Sequence, residues 1–299
     1  MNLISISDLT KEQIIEILDS ADSFRKRRGI TSEMIFKQKS LAMIFEKPST
    51  RTRVSLEVAF RELGGHALNL SAGELQLGRG ETIADTARVL SRYVHGITAR
   101  VASHGTINLL ANNASVPVIN ALSDLEHPLQ IFADLMTMRQ RFGRLDGLKI
   151  AWIGDGNNVC NSLILASAIM GMSMSIASPP SYEPKDQILG QAKELGGRIE
   201  LFMEPFDAAH GADVILTDTW ISMGDEAEEA ERLRVFGRYQ VNAQLMGLAS
   251  DGAIAMHCLP AHRGQEITDE VMDGPQSAVF DEAENRLHTA KAVLAWLLK

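Results

Sequence analysis

The chain has 299 residues, 45% of them hydrophobic and 22% charged, a length and balance that suit two globular domains each able to bury its own core. Its formal net charge of -9 excludes a general electrostatic pull on nucleic acid or an anionic membrane, so any anionic ligand has to be caught locally. No apolar run reaches the ~18 residues of a membrane span; Met1-Asn2-Leu3-Ile4-Ser5 lacks the charged segment and apolar core expected of a secretory leader, and Cys160 and Cys258 lack metal-ligand spacing, so a reducing cytoplasm is expected.

In chain order, Thr10 and Gln13 form a capping-box pattern, and Ile14, Ile17, Leu18, Ala21 and Phe24 continue one apolar face, predicting a helix that ends near Gly29. A strand over 40–45 follows, then a helix in which Leu56, Ala59, Phe60 and Leu63 recur at i, i+3, i+4 and i+7, then a short strand over 67–70. Residues 72–81 hold three glycines and read as a mobile loop. Beyond it the pattern predicts a helix over 82–93, a strand over 97–101, a helix near 105–113 and a strand over 117–121. His127-Pro128-Leu129-Gln130 opens the next helix, and Gly143 to Gly147 resets the chain. A second alternation runs through strands at 149–153, 174–177, 199–202, 214–217 and 253–258, with helices at 158–170 and 185–195. An acidic helical segment covers 225–234, whose Glu226, Glu228, Glu229 and Glu231 read as a solvated face, and a closing helix covers 282–298. The expected fold class is α/β with two domains, 1–143 and 148–281, each a parallel sheet flanked by helices.

One stretch carries the first chemical signal. Phe45-Glu46-Lys47-Pro48-Ser49-Thr50-Arg51-Thr52-Arg53 stands where a strand hands over to a helix. Pro48 disfavours helix at Lys47, Ser49 or Thr50 can cap the helix, and first-turn N–H groups, two hydroxyls and two guanidiniums are expected to converge. A first turn ordinarily favours Asp or Glu, so two arginines there make sense when an anion completes the site, and phosphate fits best. Ligands of parallel sheets bind beyond the carboxyl ends of strands. Arg100, ending a strand, can clamp an oxyanion or serve as a buried ion-pair partner; His127 and Gln130, three apart, can address a carbonyl, although a helix-opening His is also a common cap. In the second half Asn157, Asn158 and Asn161 offer amides, Asp218 a carboxylate, Ser222 a hydroxyl and Cys258 a thiol, a set suited to a zwitterionic amino acid. Gly154-Asp155-Gly156 opens like a dinucleotide fingerprint, but Val159 occupies the third glycine's place, and a tight strand-to-helix turn explains the pair equally well. His257 and Cys258, adjacent on a strand, are expected on opposite faces, which leaves the thiol without an activating base.

Together these residues resemble the aspartate/ornithine carbamoyltransferase family, most closely its ornithine-accepting branch. Phe45 to Arg53 is similar to the family's carbamoyl phosphate signature, and His127-Pro128-Leu129-Gln130 to its second one. Asp218-Thr219-Trp220-Ile221-Ser222-Met223-Gly224 and His257-Cys258-Leu259-Pro260 resemble its ornithine-recognition segments. The match spans essentially the whole chain, in the family's order. It implies that Ser49, Thr50, Arg51 and Thr52 bind the phosphate with Arg100, and that His127, Gln130, Arg100 and Thr52 hold the carbamoyl group with Arg286. Asn158, Asp218, Ser222 and Met223 then bind L-ornithine, and Cys258 with Leu259 lies by the reacting amine and carbamoyl phosphate.

The resemblance further implies that the 72–81 loop reaches a neighbouring subunit, with Gln76 at its site, in a homotrimer or a multiple of trimers, and that the closing helix over 282–299 returns to the first domain. The implied reaction gives L-citrulline and phosphate in arginine biosynthesis. It uses no cofactor and no metal, because the leaving phosphate already activates the carbonyl. Other readings are a carbamoyltransferase with a putrescine, acetylornithine or aspartate acceptor, citrulline phosphorolysis, a nucleotide-dependent oxidoreductase resting on the paired glycines, and a non-catalytic binding protein.

Overall fold

The computed structural model describes residues 1–31, 33–71, 73, 80–221 and 226–299. The chain divides into two compact units, Met1–Met136 together with Glu284–Lys299, and Thr137–Ala283.

In the first unit the capping-box pattern is realised at the start of α1 (Lys11–Arg27). Gln13 N–H donates to Thr10 Oγ1 at 3.3 Å, and Thr10 N–H donates to Gln13 Oε1 at 2.9 Å. The helix buries the expected stripe, Ile14, Ile17, Leu18, Ala21 and Phe24. Then come β1 (Ser40–Phe45), α2 (Arg51–Glu62), β2 (His66–Ser71), α3 (Ile83–Leu90), β3 (Gly96–Arg100), α4 (His104–Asn113), β4 (Val118–Leu122) and α5 (Pro128–Phe142). The four strands are all parallel, in the order β2-β1-β3-β4. Leu41 to Phe45 are buried without a break, as expected where helices cover both faces of a parallel strand. The chain leaves β1 first toward one neighbour and later toward the other, so the topological switch point lies between β1 and β3, where Phe45 pairs with Arg100.

The second unit holds β5 (Lys149–Ile153), α6 (Asn158–Met170), β6 (Ser173–Ala177), α7 (Asp186–Glu194), β7 (Arg198–Phe202), α8 (Pro205–Ala209), β8 (Val214–Thr217), α9 (Glu229–Phe236), α10 (Ala243–Met246), β9 (Ile254–His257), α11 (Asp269–Met272) and the start of α12 (Val279–Leu298). Its five parallel strands run β7-β6-β5-β8-β9, which puts the switch point between β5 and β8. Boundaries differ from expectation in places: α3 stops at Leu90, and α12 starts at Val279. Three helices, α8, α10 and α11, were not legible, because one turn of chain carries no measurable apolar period.

Within the first unit the returning portion of α12 is tied down by polar bonds as well as packing. Lys291, 4% exposed, pairs with Glu62, Lys39 Nζ donates to the Leu298 carbonyl, and Trp296 Nε1 donates to Glu16 Oε2 at 3.2 Å. Arg28 shares Glu62 at 3.1 Å. Removing the carboxylate alone strands a buried ammonium. Glu62→Ala is therefore expected to cost about 1–3 kcal/mol in urea unfolding, whereas the Glu62→Met/Lys291→Met double variant should recover most of that loss, because an apolar pair replaces the ion pair. Equal losses in the single and double variants would show that Lys291 does not depend on its partner.

Candidate functional site

In the first unit, Pro48 to Thr52 turn the chain from β1 into α2 as expected, but the cap differs. Thr50 is the cap residue with helical backbone (φ -79, ψ -58), and its side chain makes no capping bond. Among the described residues no side-chain hydrogen bond caps this helix start from Thr50. Arg51 is half-buried, whereas Arg53 is exposed beside Glu57 at 3.9 Å. The expected convergence of two guanidiniums is corrected here: residues 51 and 53 are two apart, about 200° round a helix, so one arginine turns to solvent.

Thr52 points the other way and is 1% exposed. Its Oγ1 accepts from Arg286 Nη2 at 3.1 Å, and Arg286 Nη1 donates to Gln130 Oε1. Gln130 Nε2 in turn donates to the buried Asp134 Oδ1 at 2.8 Å. This line from α2 through α12 to α5 gives each buried group a partner, which a guanidinium only 5% exposed requires. Sequence spacing brought out Gln130 but not Asp134, which sits one turn further on and shows only as a lone acid on an apolar helix.

His127 ends the turn before α5. Its carbonyl accepts from Gln130 N–H at 3.0 Å, so the backbone begins the helix while the ring is buried. The turn is braced by Ser123 N–H to the Glu126 carbonyl at 2.9 Å and by Glu126 Oε2, which accepts from Ile6 N–H at 3.2 Å. Burial, then the positive charges of Arg286 and Arg100, push the imidazole well below its ordinary basicity. His127 is thus a neutral group that can donate a hydrogen bond to a carbonyl beside two cations. Arg100 is anchored at the end of β3, where its carbonyl accepts from Glu46 N–H at 2.9 Å.

In the second unit, the loops after β5, β8 and β9 meet. Asp218, 7% exposed, takes three donors: Thr219 N–H at 2.7 Å and Cys258 Sγ–H at 2.7 Å on Oδ1, and Asn157 Nδ2 at 2.8 Å on Oδ2. Asn158 is half-buried at the first position of α6, while Asn161 is buried within it and does not join the helix-start amides. Gln76, Ser222 and Met223 lie outside the described residues, as do Asp225 and most of the 72–81 loop.

The His257–Cys258 expectation needs a different reason. A ring nitrogen of His257, Cys258 Sγ and an Asp218 oxygen all lie within 4.8 Å of one another. The strand ends at His257, so alternation no longer separates the pair. The ring is nevertheless committed, with Nε2 at 3.0 Å from the buried Glu266 and Nδ1 accepting from Leu259 N–H at 2.9 Å. That bond also supports Leu259 in the left-handed region, φ 58, where a non-glycine residue is strained.

The dinucleotide reading fails on space. A Cβ on Gly156 would lie 2.2 Å from Pro184 N, and Gly156 N–H already donates to the Tyr182 carbonyl at 2.8 Å. The close approach that a fingerprint glycine reserves for a pyrophosphate is taken here by the chain itself. Arg232, buried on α9, holds two strand-end loops together by donating from Nη1 to Asp155 Oδ2 and to the Trp220 carbonyl, each at 2.9 Å. The acidic run around it hid this residue, although Glu228, Glu229 and Glu231 are indeed exposed.

The neutral state of His127 sets a pH dependence. The unfolded chain takes up a proton at the ordinary imidazole value of 6.5, the folded chain only well below it, so stability falls as pH drops through about 6.5. His288, lowered chiefly by burial, adds a slope of the same sign. His127→Gln should lose less stability than the parent between about pH 7.5 and 5.5 in denaturant titrations. An unchanged slope would mean that His127 takes up its proton as readily in the fold as in the unfolded chain.

The aspartate/ornithine carbamoyltransferase family matches the chain in two parts, its carbamoyl-P binding domain over residues 1–140 and its Asp/Orn binding domain over 146–297. The ornithine carbamoyltransferase of Methanosarcina mazei is 57% identical, with 100% of this chain and 99% of that protein aligned. That of Archaeoglobus fulgidus is 54% identical over 99% of this chain and 97% of its own length. The solved ornithine carbamoyltransferase of Pyrococcus furiosus superposes with a TM-score of 0.95 at 51% identity, covering 99% of this chain and 96% of that one. With both domain models matched in order and full-length relatives above half identity, the chain belongs to the aspartate/ornithine carbamoyltransferase family.

Proposed function

We propose that the protein transfers the carbamoyl group of carbamoyl phosphate to the δ-amine of L-ornithine, giving L-citrulline and phosphate. The observation that carries this reading is the division of charge between two built clusters. The first unit presents Arg100, Arg286 and a neutral His127 beyond β1, β3 and β4, while the second presents the Asp218 carboxylate and the Cys258 thiol beyond β8 and β9. The names of the full-length relatives support the same acceptor.

In this reading Ser49, Thr50, Arg51 and Thr52, with the first-turn N–H groups of α2, bind the phosphate together with Arg100. His127, Gln130 and Arg286 hold the carbamoyl oxygen and amide. Asn158, Asp218, Ser222 and Met223 bind ornithine, with Cys258 and Leu259 by the reacting amine. Amine nitrogen attacks the carbonyl carbon, the oxygen gains charge against Arg100 and His127, and the bond to the phosphate oxygen breaks with its electron pair. A free amine with a lysine-like pKa near 10.4 is roughly 4 kcal/mol from neutrality at pH 7.4, and the departing phosphate can take up the proton it loses. We extend the proposal to citrulline synthesis for arginine formation, in cytoplasmic trimers to which Gln76 contributes across a subunit boundary; the resemblance of the 72–81 segment to the family's loop supports this.

Citrulline formation with ornithine, aspartate, putrescine and acetylornithine tested in parallel should occur with ornithine alone; equal or better turnover with another acceptor would overturn the assignment. Arg100→Ala should lower kcat/KM about 10²–10³-fold, the usual worth of an oxyanion donor. Parental kcat and carbamoyl phosphate affinity in that variant would remove Arg100 from the chemical step.

A further inference from the structure

We propose that Asn157 is a positioning residue for the acceptor, using its role as a helix cap to aim the Asp218 carboxylate. This inference rests on the ornithine reading above and adds a residue that does not itself need to touch substrate.

The two ends of the Asn157 side chain do different work. Oδ1 accepts from Val159 N–H at 3.0 Å and from Cys160 N–H at 3.2 Å, which caps α6. Those bonds decide the amide orientation, because an NH₂ group cannot accept from two backbone donors. Nδ2 is thereby turned outward and donates to Asp218 Oδ2 at 2.8 Å. Asp218 is held on its other oxygen by Thr219 N–H and by the Cys258 thiol. Both carboxylate oxygens are consequently fixed, one by the loop after β8 and one by the first turn of a 13-residue helix. A carboxylate held at both ends presents its remaining lone pairs in a set direction, which suits the recognition of an ammonium group. Asp, Ser and Thr also cap helices well, yet none carries an outward N–H donor. The need for both functions at one position accounts for asparagine here.

The same logic separates a structural role from a positioning one. Asn157→Thr keeps a cap oxygen and loses the donor. Asn157→Asp keeps the cap and sets a second carboxylate against Asp218. Both should retain the parental Tm within a few degrees, and Asn157→Ser serves equally if the threonine variant does not fold. Ornithine KM should rise about tenfold or more in Asn157→Thr, the worth of one charge-assisted hydrogen bond, and further in Asn157→Asp, while carbamoyl phosphate KM stays within about twofold. A second readout needs no turnover. Cys160 is fully buried, so iodoacetamide reports on Cys258, which should react faster in Asn157→Thr as the bond from Sγ to a loosened Asp218 weakens. Parental ornithine KM together with parental Cys258 reactivity in folded Asn157→Thr and Asn157→Asp would overturn the inference. Failure of the parent to make citrulline from ornithine would instead overturn the reading on which it rests.

Discussion

A guanidinium buried between three helices governs the first unit. Arg286 lies 5% exposed on α12, and its two terminal nitrogens are met by Thr52, 234 residues earlier in the chain, and by Gln130, 156 residues earlier. Leaving a charge of that kind unpartnered in an apolar interior costs several kcal/mol, so the position of α12, the inward turn of Thr52 and the orientation of the Gln130 amide are set together. Asp134 completes the line by accepting the other end of that amide. Polar groups arranged in this way hold one another in set orientations.

The same cluster accounts for the behaviour of His127. Burial, and then two guanidiniums, make an imidazolium unfavourable there, so the ring is kept neutral. It stands there as an uncharged ring beside two cations. The unit containing Asp218 follows the opposite rule: a carboxylate with three donors, one of them a thiol, forms an anionic centre. Each unit places its cluster at its own topological switch point, because only there do two neighbouring strand-end loops diverge and leave room for side chains.

The buried polar bonds also explain features without direct chemistry. His257 and Glu266 occupy the core under the loop after β9, where the ring supports Leu259 in a strained backbone conformation. Arg232 ties the turn after β5 to the loop after β8. Gly156 is required by the approach of Glu183 and Pro184. A glycine pattern that looks like a cofactor cradle is here a packing contact within the chain.

Much of the fold was legible because its signals are local. The capping box of α1, the alternation of apolar runs and amphipathic segments, and the strand-to-helix turn at Pro48 each depend on residues a few positions apart, and family resemblance ran through four short motifs. What the chain order could not reveal were relations between distant residues. Arg53 turns to solvent, His257 is spent on Glu266, Arg232 is buried inside an acidic run, and Asp134 and Asn157 hydrogen-bond Gln130 and Asp218. By itself the sequence determined the two parallel α/β units and the residue types at the ends of their strands, since periodicity and turn chemistry act at short range. Only the tertiary structure decided which of those side chains face one another and which proton or lone pair remains available, because burial and hydrogen-bond partners are supplied by segments up to 234 positions away.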